Sequence, residues 1–495
     1  MKNNMAGYSA SPKDAVPIIL VAVSGFLAAT GILVAPLWFC TPLGLALFIY
    51  MVWKRTANAG DSLLFGAVFG FLTAGAGLLS LWEIVPPDQS ADISMLFAAG
   101  LLWLVPTVAL GAVSIPFAYL LFRTKENAFA PLIAVGALVL HEYLRMWVWM
   151  VVTYGKGAST EPHLSITALG YAFADSPYFL QVAGYGGLLA LTVLLGVSAC
   201  ALACLFGEND SRTGRMRRIG SLLAFALIAA SPLFSLEGEP VLKETRTIAV
   251  FATNSGPHGD TGDSTALPGK VASAPLPDVI LLPEGKSLET ILRTLPDKNV
   301  FDSWFRNGRD VLIVHSSEST GQDGVRHNTV SYDSTQAGPL ARQHKLFLMP
   351  EGEYLPYLSQ VFLSWFSGAK LGNIPKDKAV VHGDELVAVP FKGVVFGTLL
   401  CSELFSPFLY ERLARAHGAT VLVNLADPQW FRGSHMLYRK ALQIAKVHAV
   451  ANRSYFLAAQ NSAPSFVIDP RGRVVAETAW GQTDALFFPL PEENP

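Results

Sequence analysis

Three side chains with complementary chemistry stand out in the second half of the chain. Cys401 closes the apolar run 394–400 and is the only cysteine in that half. Glu284 and Lys345 adjoin two further apolar runs that have the length of β-strands. A thiol, a carboxylate and an amine in such settings suggest a nucleophile, a base and a charge stabiliser, although a buried and inert cysteine fits the spacing equally well.

The chemistry that this set predicts is acyl transfer through a thioester. A free thiol has a pKa of about 8.5, and the ammonium of Lys345 would favour the nucleophilic thiolate. Glu284 would take the proton during attack, while Lys345 and backbone N–H groups after the Cys401 strand would stabilise the oxyanion. Water would hydrolyse the thioester and an amine would take the acyl group, so the residues alone allow a hydrolase or a transferase.

The elements that must position these residues belong to two halves of different composition. Of the 495 residues, 51% are hydrophobic and 15% are charged, and the apolar ones concentrate in the first half. The formal net charge of −2 predicts no direct binding of nucleic acid. Apolar runs of about 20 residues with few charges predict transmembrane helices. Seven runs are predicted to span a bilayer: residues 16–35, 37–53, 63–82, 93–122, 132–154, 178–206 and 219–234.

The charges between these runs predict an orientation. Basic residues fall in alternate loops: Lys54, Arg55, Arg123, Lys125, Arg212, Arg215, Arg217 and Arg218. The positive-inside rule puts these loops and the N-terminal tail, residues 1–15, in the cytoplasm. With seven helices in a membrane domain of residues 16–235, residues 236–495 lie in the periplasm of a bacterium, whereas an even number would reverse this. We therefore predict a multi-pass protein of the bacterial inner membrane.

The second half has the pattern of a layered α/β domain, because short β-rich runs alternate with helical stretches. The predicted strands are residues 247–252, 278–282, 311–315, 329–332, 386–390, 394–400, 419–424, 455–459 and 465–468. The predicted helices are residues 287–294, 407–417 and 435–452. The fold class is therefore multi-domain, with a polytopic α-helical membrane bundle followed by an α/β domain.

The candidate catalytic residues lie in sequence blocks whose order resembles that of a known family. The blocks are Leu282-Pro283-Glu284, residues 344–354, Cys401-Ser402-Glu403, residues 422–431, and Asn461-Ser462-Ala463 followed by Asp469-Pro470-Arg471-Gly472. In this order they resemble the apolipoprotein N-acyltransferase branch of the carbon–nitrogen hydrolase (nitrilase) superfamily. Residues 140–145 and 169–177 of the membrane half also resemble that branch, so the resemblance covers most of the chain.

The resemblance implies an αββα-type nitrilase-like sandwich and a catalytic set of Glu284, Lys345 and Cys401. Five further residues are implied as supporting or substrate-binding groups: Glu353, Glu403, Asn424, Trp430 and Asn461. Trp430 fits a core aromatic residue equally well. The resemblance also implies a phospholipid as acyl donor, a lipoprotein or other amine as acceptor, and a lipid bilayer that holds both. No Gly-rich phosphate loop or metal-ligand cluster is present in the sequence, so we expect no cofactor and no metal.

Some features differ from the family pattern. Ser402 stands where tyrosine is usual, the segment between residues 250 and 282 is shorter, and no membrane helix follows the catalytic domain in the printed sequence. These differences favour a specialised relative, and a TraB-type conjugal transfer protein of a plasmid is one alternative. A membrane-tethered C–N hydrolase (amidase) is another, and a structural component of a transfer apparatus is a third.

Overall fold

Helices make up the first part of the chain. The computed structural model describes residues 12–84, 93–206, 212–231, 245–254, 270–271, 273–287, 308–321, 324–367, 380–431 and 434–491. Before the first strand, the described helices of four residues or more, other than short 3₁₀ turns, are α1 Pro12–Leu33, α2 Cys40–Arg55, α3 Ala59–Gly77, α4 Ile93–Ala112, α5 Ser114–Thr124, α6 Ala130–Val152, α7 Pro177–Leu180, α8 Gly187–Phe206 and α9 Arg212–Ala230.

Five segments of these helices are long and apolar enough to cross a membrane: Val16–Leu33, Ala59–Gly77, Ala99–Thr124, Ala130–Val152 and Gly187–Phe206. They fall within or overlap five of the seven predicted spans. The other two predictions coincide with α2, which has only 16 residues, and with α9, whose sequence begins Arg-Thr-Gly-Arg-Met-Arg-Arg. Neither helix is among the segments that are long and apolar enough to cross a membrane, so the seven spans stay a prediction.

Small residues let the helices approach closely. A Cβ added at Gly66 would lie 2.5 Å from the carbonyl oxygen of Ser114, and one at Gly70 would lie 2.1 Å from that of Gly111. Both distances are far below van der Waals contact, so α3 packs backbone to backbone against the junction of α4 and α5. This is the close contact that a Gly-x-x-x-Gly spacing permits between membrane helices.

The basic loops lie together at one end of the bundle. The Nζ of Lys125 donates to the carbonyl of Thr56 at 3.1 Å, and Arg217 Nη1 donates to the carbonyl of Lys125 at 2.8 Å. Lys125 lies shortly before α6, whereas Tyr154 follows the end of that 23-residue helix. The α/β domain meets the bundle at this second end, where the N–H of Tyr357 donates to the carbonyl of Tyr154 at 2.9 Å. The basic loops and the α/β domain therefore lie at opposite ends of α6.

The α/β domain contains two six-stranded sheets, in the orders β12-β1-β2-β3-β4-β5 and β11-β10-β9-β8-β7-β6. The strands are β1 Thr245–Ala252, β2 Val279–Leu281, β3 Leu312–Thr320, β4 Arg326–Ser334, β5 Gly338–His344, β6 Ala388–Phe391, β7 Val394–Leu400, β8 Val421–Ala426, β9 Tyr455–Gln460, β10 Phe466–Ile468, β11 Val474–Glu477 and β12 Asp484–Pro491. In each sheet three central strands run parallel, β1-β2-β3 and β7-β8-β9.

The two sheets face each other across an apolar core. Along β8, Val421, Val423 and Leu425 contribute to this core, while Leu422 between them packs on the other side. That alternation follows from the two-residue period of a strand. Helices cover the face of this sheet on which Leu422 lies, and Ile444 is one of their buried residues. Among its described residues, this domain has the helices α10 Tyr357–Ser367, α11 Leu409–His417 and α12 His435–Asn452.

Each of the nine predicted strands overlaps an observed one, and the helices predicted at residues 407–417 and 435–452 are confirmed as α11 and α12. No predicted range corresponds to β5, β11, β12 or α10. Most of the helix predicted at residues 287–294, and the predicted domain boundary at residues 235 and 236, lie outside the described residues.

Candidate active site

The three predicted catalytic residues lie just after the ends of strands. Glu284 follows β2 of the first sheet, Lys345 follows β5 of the same sheet, and Cys401 follows β7 of the second. Cys401 has a φ of +42°, in the left-handed region that residues with a Cβ rarely adopt. It opens a 3₁₀ turn, Cys401–Phe405, so the chain bends sharply at the thiol. Strained backbone of this kind concentrates at functional sites.

The structure brings the amine between two carboxylates. Lys345 Nζ lies 2.9 Å from Glu353 Oε1 and 3.6 Å from Glu284 Oε1. Lys345 is only 2% exposed, so its charge is removed from water and is balanced by these partners. The Cys401 thiol lies close enough to Glu284 and Lys345 to feel the charge of both side chains. Carboxylate, ammonium and thiol thus form one cluster, in which Glu284 and Cys401 are half-buried and Lys345 is buried.

The electrostatics favour a neutral thiol at rest. Burial raises the pKa of Cys401, the charge of Glu284 raises it further, and Lys345 lowers it by less than these two together. Burial lowers the pKa of Lys345, but the acidic groups around it, with Glu284 and Glu353 the largest contributors, together outweigh burial, so this pKa is raised and the amine stays protonated. Burial raises the pKa of Glu284, although Lys345 opposes the shift. Lys345 favours the thiolate but does not outweigh burial and the charge of Glu284, so the proton has to leave during attack.

Glu353 holds the lysine in place. Its Oε1 accepts hydrogen bonds from Lys345 Nζ at 2.9 Å and from Asn328 Nδ2, and its Oε2 accepts one from the N–H of Met349 at 2.5 Å. Both oxygens are therefore fixed by donors from different segments. The lysine cannot swing away from the thiol without breaking a charge-assisted hydrogen bond.

Glu403 joins the cysteine strand to the lysine segment. It is fully buried and accepts hydrogen bonds from the N–H groups of Leu400 at 2.7 Å, Leu346 at 2.6 Å and Phe347 at 3.3 Å. These donors lie next to Cys401 and Lys345 in the chain. Burial raises the pKa of Glu403 to about 7, with the backbone donors opposing the shift.

The structure brings the two predicted asparagines to the same edge of the sheets. Asn424 Nδ2 donates to the carbonyl of Cys401 at 3.4 Å, and Asn461 Nδ2 donates to Asp427 Oδ1 at 2.8 Å. The side chain of Trp430 lies outside the described residues. Within the described residues, no three His, Cys, Asp or Glu side chains gather as a metal site would require.

The sequence analysis missed Asp427 as a site residue. Its N–H donates to Glu284 Oε2 at 3.2 Å, which fixes the oxygen of Glu284 that is not aimed at Lys345. The signal was present, since Asp427 stands three residues after Asn424 in one of the quoted blocks.

A loop of the membrane half also reaches this site. The ring of His163 stacks on Phe347 with centroids 4.3 Å apart, and the N–H of Ser165 donates to the carbonyl of Phe405 at 3.0 Å. Phe347 follows Lys345 by two residues and Phe405 ends the turn that Cys401 opens. Nothing in the local sequence of this loop marked it as part of the site.

Two family models match the chain: residues 24–201 match the apolipoprotein N-acyltransferase N-terminal domain, and residues 306–490 match carbon-nitrogen hydrolase. A putative apolipoprotein N-acyltransferase of Bordetella parapertussis is 27% identical over 360 residues, which cover 64% of this chain and 63% of that protein. An apolipoprotein N-acyltransferase of Nitrosomonas europaea is 24% identical over 473 residues, which cover 92% of this chain and 86% of that protein. The match thus spans less than two thirds of the Bordetella relative.

Among solved structures, an amidase from Nesterenkonia sp. is similar to 52% of this chain and 94% of its own, with 16% identity and a TM-score of 0.32. The two family matches and the fold define a multi-pass membrane protein with a carbon-nitrogen hydrolase domain. The chain belongs to the apolipoprotein N-acyltransferase branch of the nitrilase superfamily.

Proposed function

We propose that the protein is a membrane-bound N-acyltransferase. It forms a Cys401 thioester with an acyl chain of a phospholipid and passes the chain to an amine, as in lipoprotein N-acylation. The observation that carries this proposal is the position of Lys345 Nζ, 3.6 Å from Glu284 and 2.9 Å from Glu353, beside the Cys401 thiol. The names of the curated relatives and the fusion to a membrane bundle support a lipid donor.

In the first half-reaction, Cys401 Sγ attacks the carbonyl carbon of the lipid ester while Glu284 takes the thiol proton. The oxyanion that forms is stabilised by the Lys345 ammonium. When the ester C–O bond breaks, Glu284 returns the proton to the departing glyceryl oxygen. The products are a lysophospholipid and the thioester.

In the second half-reaction, the amine nitrogen attacks the thioester carbonyl and Glu284 takes one proton from that nitrogen. The C–S bond then breaks, and the sulfur receives the proton as the thiol. Water would give a fatty acid instead of an amide, so the outcome depends on which nucleophile the bilayer holds beside the thioester. A membrane anchor raises the effective concentration of amphiphilic donor and acceptor.

We further infer that the catalytic domain faces the periplasm of a bacterial inner membrane. This inference is supported by the position of the basic loops at the end of the bundle opposite the catalytic domain.

The intact mass of the purified protein after incubation with a phospholipid tests the proposal. A gain of one acyl mass that hydroxylamine removes, and that Cys401→Ala lacks, is the expected result. A folded protein that acquires no acyl mass would contradict the proposal. If it also released ammonia from simple amides, the amidase alternative would replace it.

A further inference from the structure

A pair of buried polar side chains joins the two sheets at the edge where the site lies. Thr253 follows β1 of the first sheet, and its Oγ1 donates to Asn461 Oδ1, just after β9 of the second sheet, at 2.8 Å. Thr253 is 8% exposed and Asn461 is fully buried. The backbone supports this contact, since the N–H of Thr253 donates to the carbonyl of Gln460 at 3.1 Å and the N–H of Ser462 to that of Thr253 at 2.7 Å.

From Asn461 the hydrogen bonds continue to the base. Asn461 Nδ2 donates to Asp427 Oδ1 at 2.8 Å, and the N–H of Asp427 donates to Glu284 Oε2 at 3.2 Å. Glu284 follows β2, which pairs in parallel with β1, the strand that Thr253 follows. Four residues at the ends of four strands, Thr253, Asn461, Asp427 and Glu284, therefore form a closed ring, which we call the sheet-edge ring.

The ring matters because the nucleophile and the base come from different sheets. Cys401 lies at the end of β7 in the second sheet, and Glu284 lies after β2 in the first. The core between the sheets is apolar, and apolar contacts are not directional. Hydrogen bonds between buried groups are directional and are costly to leave unmade, so at this edge the ring fixes the spacing of the sheets.

We propose that Thr253 and Asn461 are positioning residues that set the place of the Glu284 carboxylate relative to the Cys401 thiol. This inference rests on the proposed function. The side-chain amide of Asn461 bridges Thr253 and Asp427, because its oxygen accepts a hydrogen bond from Thr253 and its nitrogen donates one to Asp427. Removing the Thr253 hydroxyl leaves the amide oxygen without this buried donor and loosens the orientation of the Asn461 side chain. Asp427, which contacts Glu284, then loses its side-chain link through Asn461 to the end of β1.

The test compares Thr253→Val, which keeps the shape and removes the donor, with Thr253→Ser, which keeps the donor. The rate of Cys401 thioester formation is measured by intact mass at several phospholipid concentrations. For Thr253→Val, kcat should fall on the order of 10- to 100-fold with KM unchanged, since a displaced base slows chemistry without changing lipid binding. Thr253→Ser should restore the wild-type kcat.

Thr335→Val is the matched control. The Thr335 hydroxyl accepts a hydrogen bond from the N–H of Val311 at 2.9 Å, in the same sheet but at the strand ends away from the site. Losing this hydroxyl should therefore leave kcat unchanged. If Thr253→Val does not fold, Thr253→Ala takes its place. If a folded variant without the hydroxyl keeps the wild-type kcat, the positioning role of Thr253 and Asn461 is wrong, while the proposed function stands. No thioester on the wild-type protein would overturn the proposed function and this inference with it.

Discussion

Lys345 balances the charges on which the site depends. Its ammonium is almost completely buried and has two carboxylate partners, Glu284 and Glu353, within 4 Å. A buried cation between two anions holds both carboxylates close to a thiol that would otherwise face only negative charge. The same cation is the one positive group placed by these contacts to stabilise an oxyanion on a substrate carbonyl.

Replacing Lys345 with methionine should therefore remove the positive charge while filling a similar volume. We expect Lys345→Met to slow thioester formation by about 100- to 1,000-fold, the usual effect of losing one oxyanion donor. The acyl mass gained by the intact protein over time measures this rate. Lys156→Met, at an exposed lysine, is the control and should leave the rate unchanged. A Lys345→Met protein that acylates at the wild-type rate would show that the amine has no part in the reaction.

The acid side of the pH–rate profile should report Glu284. The base must be ionised to take the thiol proton, and burial raises the pKa of Glu284 above the usual 4.5. The rate should therefore fall on acidification, and the fall should begin at a higher pH than for an ordinary glutamate. Glu284→Gln should be slow throughout and should lose this acid limb. An unchanged limb in that variant would assign it to a different group.

Three candidate catalytic residues could be predicted from the sequence, but the energetics of the cluster that they form could not. Cys401 and Glu284 were visible because each follows an apolar run that forms a strand. Lys345 was placed beside the apolar run 346–349, which is not a strand, and it instead follows β5. The balance that keeps the thiol neutral depends on burial and on the Glu284–Cys401 contact across two sheets. The sequence carries no direct measure of either quantity.

At the scale of elements, the loop between α6 and α7 acts as part of the catalytic domain. Gly157 in this loop has a φ of +90°, and a Cβ there would lie 2.7 Å from the carbonyl oxygen of Val380. The hydroxyl of Tyr354 donates to the carbonyl of Thr153 at 2.8 Å from the other side. The loop therefore packs closely against the segments that follow Lys345 and Cys401, and it fixes them relative to the bundle.

His163 provides a way to test this role. Its ring stacks on Phe347 with an interplanar angle of 16°, and a ring pair of this kind contributes about 1 kcal/mol beyond burial. We expect His163→Ala to lower the free energy of unfolding by about that amount and to slow thioester formation by about 10-fold, since a small shift of the lysine segment misplaces the amine. Thermal unfolding and intact mass measure the two effects. His417→Ala, at an exposed histidine of α11, should change neither.

The strands that escaped prediction, β5, β11 and β12, all lie at sheet edges. β12 contains Pro489, which is tolerated because β12 is the edge strand of its sheet, beside β1. β5, with the sequence Gly-Pro-Leu-Ala-Arg-Gln-His, lies at the other edge and buries few side chains. Pro489 interrupts the apolar run of β12, and β5 ends in the polar residues Arg-Gln-His, so a hydrophobic pattern that finds the central strands β1, β7 and β8 misses these two.

At the scale of the whole molecule, the arrangement places chemistry at one membrane surface. The basic loops meet at the end of the bundle where Lys125 and Arg217 lie, and the catalytic domain is fixed at the other end by the residues after α6. A site so placed can receive amphiphiles from the adjacent leaflet without carrying them across the bilayer. The orientation of the protein in the membrane then decides which leaflet supplies the donor and which compartment supplies the amine.

The orientation of the protein in the membrane can be measured with single cysteines, in a background in which Cys40, Cys200, Cys204 and Cys401 are all replaced by alanine. Asp384 is 89% exposed in the catalytic domain, and Ala57 is exposed in the loop between α2 and α3 at the basic end. In intact spheroplasts we expect a membrane-impermeant maleimide to label Asp384→Cys and to leave Ala57→Cys unlabelled until the cells are lysed, because the positive-inside rule keeps the basic end in the cytoplasm. The reverse pattern would place the thioester in the cytoplasm, where an acceptor at the outer leaflet could not reach it.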